Sequence, residues 1–380
     1  MGNIKRVRKA IPQWIARKLW VKAGGRCEYP GCNVSLWEDS LTKKDMNKAY
    51  ISHIVAVSPK GPRGNSFFSK KLALKFENLL LLCDECHNRI DTAAVDEHPV
   101  DYLLKIKRDH EERIELLTSL KPEKRTHILF YGANIGSLGS PFTFNDARQA
   151  ILPTRFPYEN RPIDLHLKNS SFYDNELSFW ELEPENLERQ FKEKVLPIRD
   201  TSDVKHFSIF ALAPQPLLIK LGTLISDLLD ADVYQKHREP SSWCWQENSN
   251  QSDFKLNEPG NTNGVPVLKL ELSATVTNER LISVLGNGIS IWTITHNNPN
   301  VDFLKAKHLL SAFRVVCRDA LNIIKAKHGQ NNPLHVFPVM PVSACVEFGR
   351  IWMPKADLPL VIYDQNRKNE GFFKTITINA

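Results

Sequence analysis

The stretches GGRCEYPGC (residues 24–32) and LLCDECH (residues 81–87) decide the fold of the first third of this chain. Each contains a close pair of cysteines, Cys27 with Cys32 and Cys83 with Cys86. Four thiolates in two such knuckles can close tetrahedrally on one zinc ion. A four-thiolate site leaves no open coordination position, so we expect this zinc to be structural and not catalytic.

Three polar residues around these knuckles predict hydrolytic chemistry. His53 lies in ISHIVAVSPKGPRG (residues 51–64), Asn78 lies in FENLLLLC (residues 76–83), and His87 directly follows Cys86. Hydrolysis of a phosphodiester needs a base that activates water and a cation that stabilises charge on the phosphate. His53 is the candidate general base, because imidazole titrates near neutral pH. We expect His87 to ligate Mg²⁺ or Mn²⁺, and Asn78 either to hold the loop closed or to contact that metal.

Each residue also has a plainer interpretation. A single histidine in a strand is more often a hydrogen-bonded core residue than a catalyst. Asn78 can be a turn or helix cap, and two cysteine knuckles alone indicate a structural zinc ribbon. The joint spacing of knuckle, His-Ile, basic loop, Asn-Leu and CxxCH nevertheless favours a nuclease.

The positive charge of the chain is concentrated beside these motifs. Residues 1–125 carry 24 Lys and Arg against 16 Asp and Glu, a net charge of +8, whereas the remainder carries 26 against 27. A basic domain attracts polyanions by releasing their counterions, so nucleic acid is the expected partner of this part. The candidate DNA-binding residues, which could contact phosphates, are Lys60, Arg63, Lys70, Lys71 and Lys75.

Hydrophobic periodicity predicts the main elements. We expect helices over 11–23 and 100–120, a short strand around His53 and a helix that begins near Cys83. Polar, Asn-rich residues 247–263 predict an exposed loop, and further strands are expected over 267–276 and 288–294. The resulting domains are residues 1–99, a linker helix at 100–125, and residues 126–380.

The second domain contains two similar segments, HFSIFALAP (residues 206–214) and LHVFPVMP (residues 334–341). Each is an apolar strand that ends in a proline turn before a helix, which suggests a duplicated α/β domain. An open α/β sheet binds its ligand where strands end, and a nucleotide needs aromatic surfaces and hydrogen-bond donors. The candidate ligand-binding residues are therefore Tyr131, Ser137, Pro214, Gln235, Lys236, Arg238, Trp243, Trp245 and Pro341. For the two tryptophans, core packing in a strand is an equally good interpretation.

Residues 20–115 resemble the HNH endonucleases of the zinc-stapled ββα-metal type. The resemblance implies that His53, Asn78 and His87 are the catalytic residues. Many of these enzymes carry a metal-binding Asp just before the base, whereas here that neighbour is Ser52. The metal shell must therefore depend more on His87 and Asn78, or on another carboxylate.

Residues from about 125 to the end resemble the SAVED domain, a sensor of cyclic oligonucleotides built from two fused CARF-like units. The predicted fold class is thus an α+β HNH domain followed by an α/β SAVED domain of two Rossmann-like units. HNH followed by SAVED is similar to the effector nucleases of CBASS anti-phage defence. That resemblance implies a cyclic dinucleotide of the cGAMP type as activator, a homo-oligomer from dimer to tetramer, and double-stranded DNA as substrate.

The composition is that of a globular protein with no membrane-spanning run, and we expect it to be cytoplasmic. Two other functions fit parts of the pattern. One is a non-catalytic zinc-stapled DNA-binding regulator with a small-molecule sensor. The other is a restriction-type HNH nuclease whose second domain reads modified bases, although the near-neutral charge of residues 126–380 argues against that domain gripping a duplex.

Overall fold

The computed structural model describes residues 10–39, 41–135, 142–166, 172–246, 253–366 and 371–379. The chain divides into two compact units, residues 1–120 and residues 121–380. No helix among these described residues combines the length and apolarity needed to cross a membrane.

The first unit is a strand pair surrounded by helices. Its elements are α1 (Gln13–Lys22), β1 (Tyr50–His53), α2 (Ser69–Leu72), β2 (Leu79–Leu82), α3 (Asp84–Asn88) and α4 (Val100–Thr118). The helices predicted over 11–23 and 100–120 and the strand at His53 are therefore confirmed. Gly24 and Gly25 end α1 with φ angles of 59° and 66°, a left-handed conformation that glycine adopts without steric cost.

Strand β2 is the centre of the first unit. It pairs antiparallel with β1, and His53 lies opposite Leu79. All four leucines of β2 are completely buried, as expected of a continuous apolar strand that is covered on both faces. Ile15 and Leu19 of α1 pack in the same core with Leu103 and Ile106 of α4. Helix α4 is thus part of this core, in contrast to the separate linker helix that the sequence suggests.

The second unit contains two mainly parallel sheets. The strands are β3 (Arg125–Gly132), β4 (Phe156–Pro157), β5 (Ile163–Asp164), β6 (Phe207–Leu212), β7 (Ala231–Tyr234), β8 (Lys255–Asn257), β9 (Val265–Glu271), β10 (Ile289–Thr295), β11 (Leu334–Val339), β12 (Leu360–Asn366) and β13 (Gly371–Ile378). The helices are α5 (Phe144–Ile151), α6 (Leu177–Lys194), α7 (Leu196–Thr201), α8 (Gln215–Ile225), α9 (Asn278–Leu285), α10 (Lys307–His328) and α11 (Val342–Ile351).

The two sheets repeat one topology. The first has the order β4-β3-β6-β7, and the second has the order β13-β12-β11-β9-β10-β8. The strand-helix-strand unit β6-α8-β7 corresponds to β11-α11-β12. Strand β6 runs parallel to both β3 and β7. Strand β11 likewise runs parallel to both β9 and β12. The duplicated α/β domain predicted from HFSIFALAP and LHVFPVMP is therefore confirmed.

Helices α8 and α11 cross at two glycines. A Cβ atom on Gly222 would lie 2.1 Å from the Val346 carbonyl oxygen, and one on Gly349 would lie 2.1 Å from the Ile219 carbonyl oxygen. Side chains of α8 and α11 share one buried core with strands of both sheets. The absence of Cβ atoms thus lets the two halves of the second unit pack backbone against backbone.

The sequence prediction fails for part of residues 247–263. Residues 255–257 form β8, which pairs antiparallel with β10 at the edge of the second sheet. The reason is local packing, because Phe254 and Leu256 lie against the core of this unit while their polar neighbours remain outside. Two apolar residues are too few for periodicity to predict a strand.

We predict that Gly222→Ala and Gly349→Ala each destabilise the second unit by about 2 kcal/mol or more, because the added methyl group meets backbone atoms that cannot yield. Urea unfolding followed by circular dichroism measures the effect. Gly260→Ala is the matched control, since a Cβ atom there has nothing within 4 Å. Equal midpoints for all three variants would contradict the close helix crossing.

Candidate functional site

The four cysteines of the two knuckles come together in the first unit. The Sγ atoms of Cys27, Cys32, Cys83 and Cys86 all lie within 4.8 Å of one another, and those of Cys32 and Cys83 are 3.8 Å apart. A tetrahedral zinc site with bonds of about 2.3 Å places its sulfurs about 3.8 Å apart. The predicted clustering is confirmed, and the geometry suits a tetrahedral metal ion.

The chemistry of this donor set also suits a cation. Burial raises the pKa of the Cys27 thiol to about 12, and the nearby Cys83 and Cys32 sulfurs add to the rise. Four thiolates in such a place would repel one another unless a divalent ion lay between them. The cluster joins the loop after α1 to the start of α3, so a metal here would tie these two segments of the first unit together.

Asn78 fastens the segment that follows β1. Its Oδ1 accepts a hydrogen bond from the Val55 amide at 2.8 Å, and its Nδ2 donates to the Val55 carbonyl at 3.0 Å. Nδ2 also lies 3.3 Å from the Leu72 carbonyl oxygen. The sequence allows two roles for Asn78, a loop clamp or a metal ligand. These hydrogen bonds to backbone groups are those of a loop clamp. The amide is engaged with backbone groups, so we do not retain Asn78 as a metal ligand.

His53 ends strand β1 and is half-buried. Its Nε2 lies 3.0 Å from the carbonyl oxygen of Ala73. A carbonyl only accepts hydrogen bonds, so this contact assigns the proton of a neutral ring to Nε2 and the lone pair to Nδ1. A backbone contact of this kind orients an imidazole and fixes its tautomer, as a general base requires.

A carboxylate that sequence reasoning missed lies beside the predicted residues. Asp91 accepts a hydrogen bond from Ser52 Oγ at 3.0 Å through its Oδ2, and the same oxygen is 3.4 Å from His87 Nε2. The guanidinium of Arg63 forms an ion pair with Oδ1. Ser52 directly precedes His53 in β1, so Asp91 is bonded to the strand one residue before the candidate base. The signal was available, because His87 and Asp91 are four residues apart on successive helical turns.

His87 and Asp91 together form a candidate cation site. The two donor atoms are close enough to ligate one ion whose bonds to nitrogen and oxygen are about 2.1 Å long. The ring of Tyr50 stacks on the ring of His87, with centroids 5.0 Å apart. Arg63 compensates the Asp91 charge and also donates to the carbonyls of Ile54 and Ile90.

The basic residues predicted to meet DNA fall into two groups. Lys60, Lys70, Lys71 and Lys75 are exposed, and none forms an ion pair with a described residue. Arg63 differs, because its side chain is only 6% exposed and is bound to Asp91 and two carbonyls. We therefore assign Arg63 to the interior of the site and correct its expected contact with phosphates.

In the second unit, the carboxyl ends of both sheets are joined by glutamines. Gln235, which follows β7, accepts hydrogen bonds through Oε1 from the amide and hydroxyl of Ser343 at 3.1 and 2.7 Å. Gln215, at the start of α8, accepts from the Met340 amide at 3.1 Å. Pro214 and Pro341 directly precede α8 and α11. The predicted turns therefore lie next to each other, where parallel sheets bind ligands.

Two aromatic residues of the predicted ligand set are core residues. Tyr131 is completely buried because alternation along β3 turns it, with Leu129, towards the core between the sheets. Burial raises the pKa of its phenol well above the usual value. Trp243 is 2% exposed and packs on Phe210 and Phe142. We correct both assignments, and for Trp243 the core alternative is the right one.

Pro214, Gln235 and Pro341 are buried, so among the other predicted ligand residues that the structure describes only three are accessible. Lys236 and Trp245 are half-buried, and Arg238 is exposed. The ammonium of Lys236 lies 5.6 Å from the centre of the Trp243 ring, and the Trp245 ring contacts His237. This short segment after β7 thus presents two cations and one aromatic face beside Gln235. Ser137 lies outside the described residues.

The second unit is thus a duplicated α/β fold with polar groups at its strand ends, the place where parallel sheets bind ligands. Residues 187–378 match the family model of the SAVED domain, described as "SMODS-associated and fused to various effectors sensor domain". These residues make up half of the chain, which therefore belongs to the SAVED family. No curated protein matches the sequence.

Solved structures with a similar fold are SAVED/CARF-domain containing receptors named Cap4. The receptor of Acinetobacter baumannii with the cyclic trinucleotide 2'3'3'-cAAA is 12% identical, with a TM-score of 0.44 over 82% of this chain and 61% of that chain. The receptor of Moraxella osloensis is 11% identical, with a TM-score of 0.42 over 74% of this chain and 58% of that chain. This chain thus spans about three fifths of the length of those proteins.

We predict one tightly bound zinc ion per chain on the four cysteines. Cys83→Ser should lose the metal and most of the soluble protein, because structural zinc contributes directly to folding free energy. Elemental analysis of the purified protein and its soluble yield are the measurements. Cys244→Ser is the control, since Cys244 is exposed and outside the cluster. Metal-free native protein, or a Cys83→Ser variant as stable as the control, would contradict the site.

Proposed function

We propose that this protein is a metal-dependent HNH-type DNA endonuclease that a cyclic oligonucleotide switches on, in the manner of a CBASS effector. The observation that carries the nuclease part is the placement of His53, Ser52, His87 and Asp91 on a β-β-α frame held by the cysteine cluster. Residues 1–99 would carry the nuclease site and residues 126–380 the sensor, with α4 between them in the chain.

In this proposal His53 is the general base. Nδ1 would take a proton from the attacking water, while the contact between Nε2 and the Ala73 carbonyl holds the ring in place. Asn78 holds the segment after His53 in place through its two hydrogen bonds to Val55. A non-catalytic DNA reader needs no base at this position, so the histidine supports an enzyme over a regulator.

His87 and Asp91 would hold the catalytic Mg²⁺ or Mn²⁺. That ion would stabilise negative charge on the phosphate and on the leaving oxygen. Asp91 would supply the carboxylate that many HNH enzymes carry just before the base, where this chain has Ser52. Ser52 would then orient Asp91 through its hydroxyl, and Arg63 would hold the other oxygen.

The sensor part rests on membership of the SAVED family and on the polar strand ends. We propose that a cyclic oligonucleotide binds there, with Lys236 and Arg238 facing its phosphates and Trp245 stacking on a base. The resemblance to CBASS effectors implies a cyclic dinucleotide, whereas the Acinetobacter receptor holds a cyclic trinucleotide, so both classes need to be tested. Ligand-driven assembly of second units into dimers or tetramers would raise the local concentration of nuclease units on one duplex.

We expect His53→Ala to lower DNA cleavage by about 10²- to 10⁴-fold, the usual contribution of a general base. Zinc content and thermal stability should stay as in the unmodified protein. Plasmid nicking with Mg²⁺ or Mn²⁺ and a saturating activator measures the rate. Cleavage at an unchanged rate would remove His53 as the base.

We expect Asp91→Asn to lower cleavage by about 10²-fold and to weaken Mn²⁺ binding, because the amide is a poorer ligand than the carboxylate. Plasmid nicking and titration calorimetry with Mn²⁺ are the two measurements. Asp96→Asn is the matched control, since Asp96 is an exposed acid five residues further on. If both variants bind Mn²⁺ equally well, Asp91 is not a ligand.

We expect Lys236→Glu and Trp245→Ala each to weaken activator binding at least tenfold, because they remove a phosphate contact and a stacking surface. Titration with cyclic dinucleotides, 2'3'3'-cAAA and 3'3'3'-cAAA identifies the ligand, and light scattering follows assembly. Lys255→Glu, an exposed charge reversal on β8, is the control. Full activity without ligand, and no mass change with any of these compounds, would remove the sensor function.

A further inference from the structure

An aromatic pair stands exposed on the loop between β1 and β2. Phe67 is 63% exposed and Phe68 is 49% exposed, and their rings meet edge to face with centroids 5.0 Å apart. Removing a phenylalanine ring from water lowers the free energy, so two neighbouring exposed rings favour a binding surface.

The loop presents these rings on a fixed support. Asn65 Oδ1 accepts hydrogen bonds from the amides of Phe67 and Phe68 at 2.8 and 3.2 Å. Ser69 is completely buried, its Oγ accepts from the Asn65 amide at 3.0 Å, and its own amide donates to the Asn65 carbonyl at 3.0 Å. These hydrogen bonds hold residues 65–69 in a tight turn, and the two rings extend from that turn.

Helix α2 connects this turn to the candidate base. Ser69 is its first residue, and Ala73, which directly follows it, contacts His53 Nε2 through its carbonyl oxygen. The carbonyl of Leu72, the last residue of α2, contacts the Asn78 clamp. One helical turn therefore fixes the aromatic pair at a set distance from His53.

The charge around the pair selects a polyanionic partner. Residues 58–75 contain four exposed lysines and no Asp or Glu, whereas Arg63 in the same stretch is bound to Asp91. Lys70 and Lys71 directly follow the turn and are exposed, and the Lys71 ammonium lies 3.9 Å from the centre of the Phe67 ring. An aromatic surface flanked by exposed lysines complements stacked bases between phosphates.

We propose that Phe67 and Phe68 form an aromatic wedge that enters a base step of double-stranded DNA and unstacks it beside the scissile phosphate. The inference rests on the proposed nuclease function and adds how the site engages its substrate. Apolar side chains that insert between base pairs kink the duplex, and exposed lysines hold the backbone on either side. Bending the duplex over α2 brings a phosphate to the base.

The test uses the full-length protein and 30-base-pair duplexes that carry 2-aminopurine at single positions, without Mg²⁺ and with the same panel of cyclic nucleotides. Binding of the unmodified protein should raise the fluorescence at one or two adjacent positions, because unstacked 2-aminopurine is brighter. Phe67→Ala/Phe68→Ala should abolish the rise and weaken binding about tenfold, as the loss of one stacked base does. Phe67→Leu/Phe68→Leu should give an intermediate rise.

Two controls separate the wedge from charge and from general surface effects. Lys70→Ala/Lys71→Ala should weaken binding and flatten its salt dependence, yet keep the fluorescence rise at saturation. Leu41→Ala removes another exposed apolar side chain of the first unit, 90% exposed, and should behave like the unmodified protein.

Three results would overturn the wedge. The first is DNA that is bound and cleaved with no fluorescence rise at any position, and the second is a rise that survives in Phe67→Ala/Phe68→Ala. The third is a loss of mass by light scattering in that variant, which would assign the pair to contacts between copies of this chain. Failure of the unmodified protein to bind or cleave DNA with every compound would instead remove the proposed nuclease function itself.

Discussion

The close approach of four sulfur atoms is the constraint on which the first unit depends. Residues 27 and 32 come from the loop after α1, whereas residues 83 and 86 flank the start of α3, so one cluster joins segments fifty residues apart in sequence. That junction sets where α3 leaves strand β2 and therefore where His87 and Asp91 lie. A small core of leucines could not by itself fix this geometry, and a metal ion on the cluster would contribute folding energy that the core lacks.

The sequence was sufficient for those parts of the first unit that depend on spacing. Cysteine pairs predict a cluster because C-x4-C and C-x2-C spacings are those of metal-binding knuckles, and apolar periodicity predicts α1 and α4. It was insufficient for Asp91 and Arg63. Which charged residues meet in space depends on the turn after α3 and on the loop between the strands, and neither follows from periodicity. The role of Asn78 was only partly predictable, because an asparagine can either clamp a loop or ligate a metal. Its hydrogen bonds to Val55 distinguish these two roles.

In the second unit, the duplicated fold could be predicted from the sequence, whereas the accessible ligand residues could be predicted only in part. Two strand and helix segments of the same pattern predicted the repeated sheets. Trp243 was ambiguous because an aromatic residue in a strand suits a core as well as a binding face, and its packing on Phe210 settles the matter. The glycines of α8 and α11 gave no sequence signal of their own. Their close crossing joins the halves, so a ligand between the strand ends would act on both sheets at once.

We propose that one chain couples a sensor to a His53-dependent nuclease. The most direct measurement is plasmid cleavage by the purified protein and by His53→Ala, with Mg²⁺, across cyclic dinucleotides and the two cyclic triadenylates. We predict that the unmodified protein is nearly silent alone, that one compound raises its rate by orders of magnitude, and that His53→Ala stays silent with that compound. Equal cleavage by both proteins, or cleavage that no compound alters, would contradict the claim.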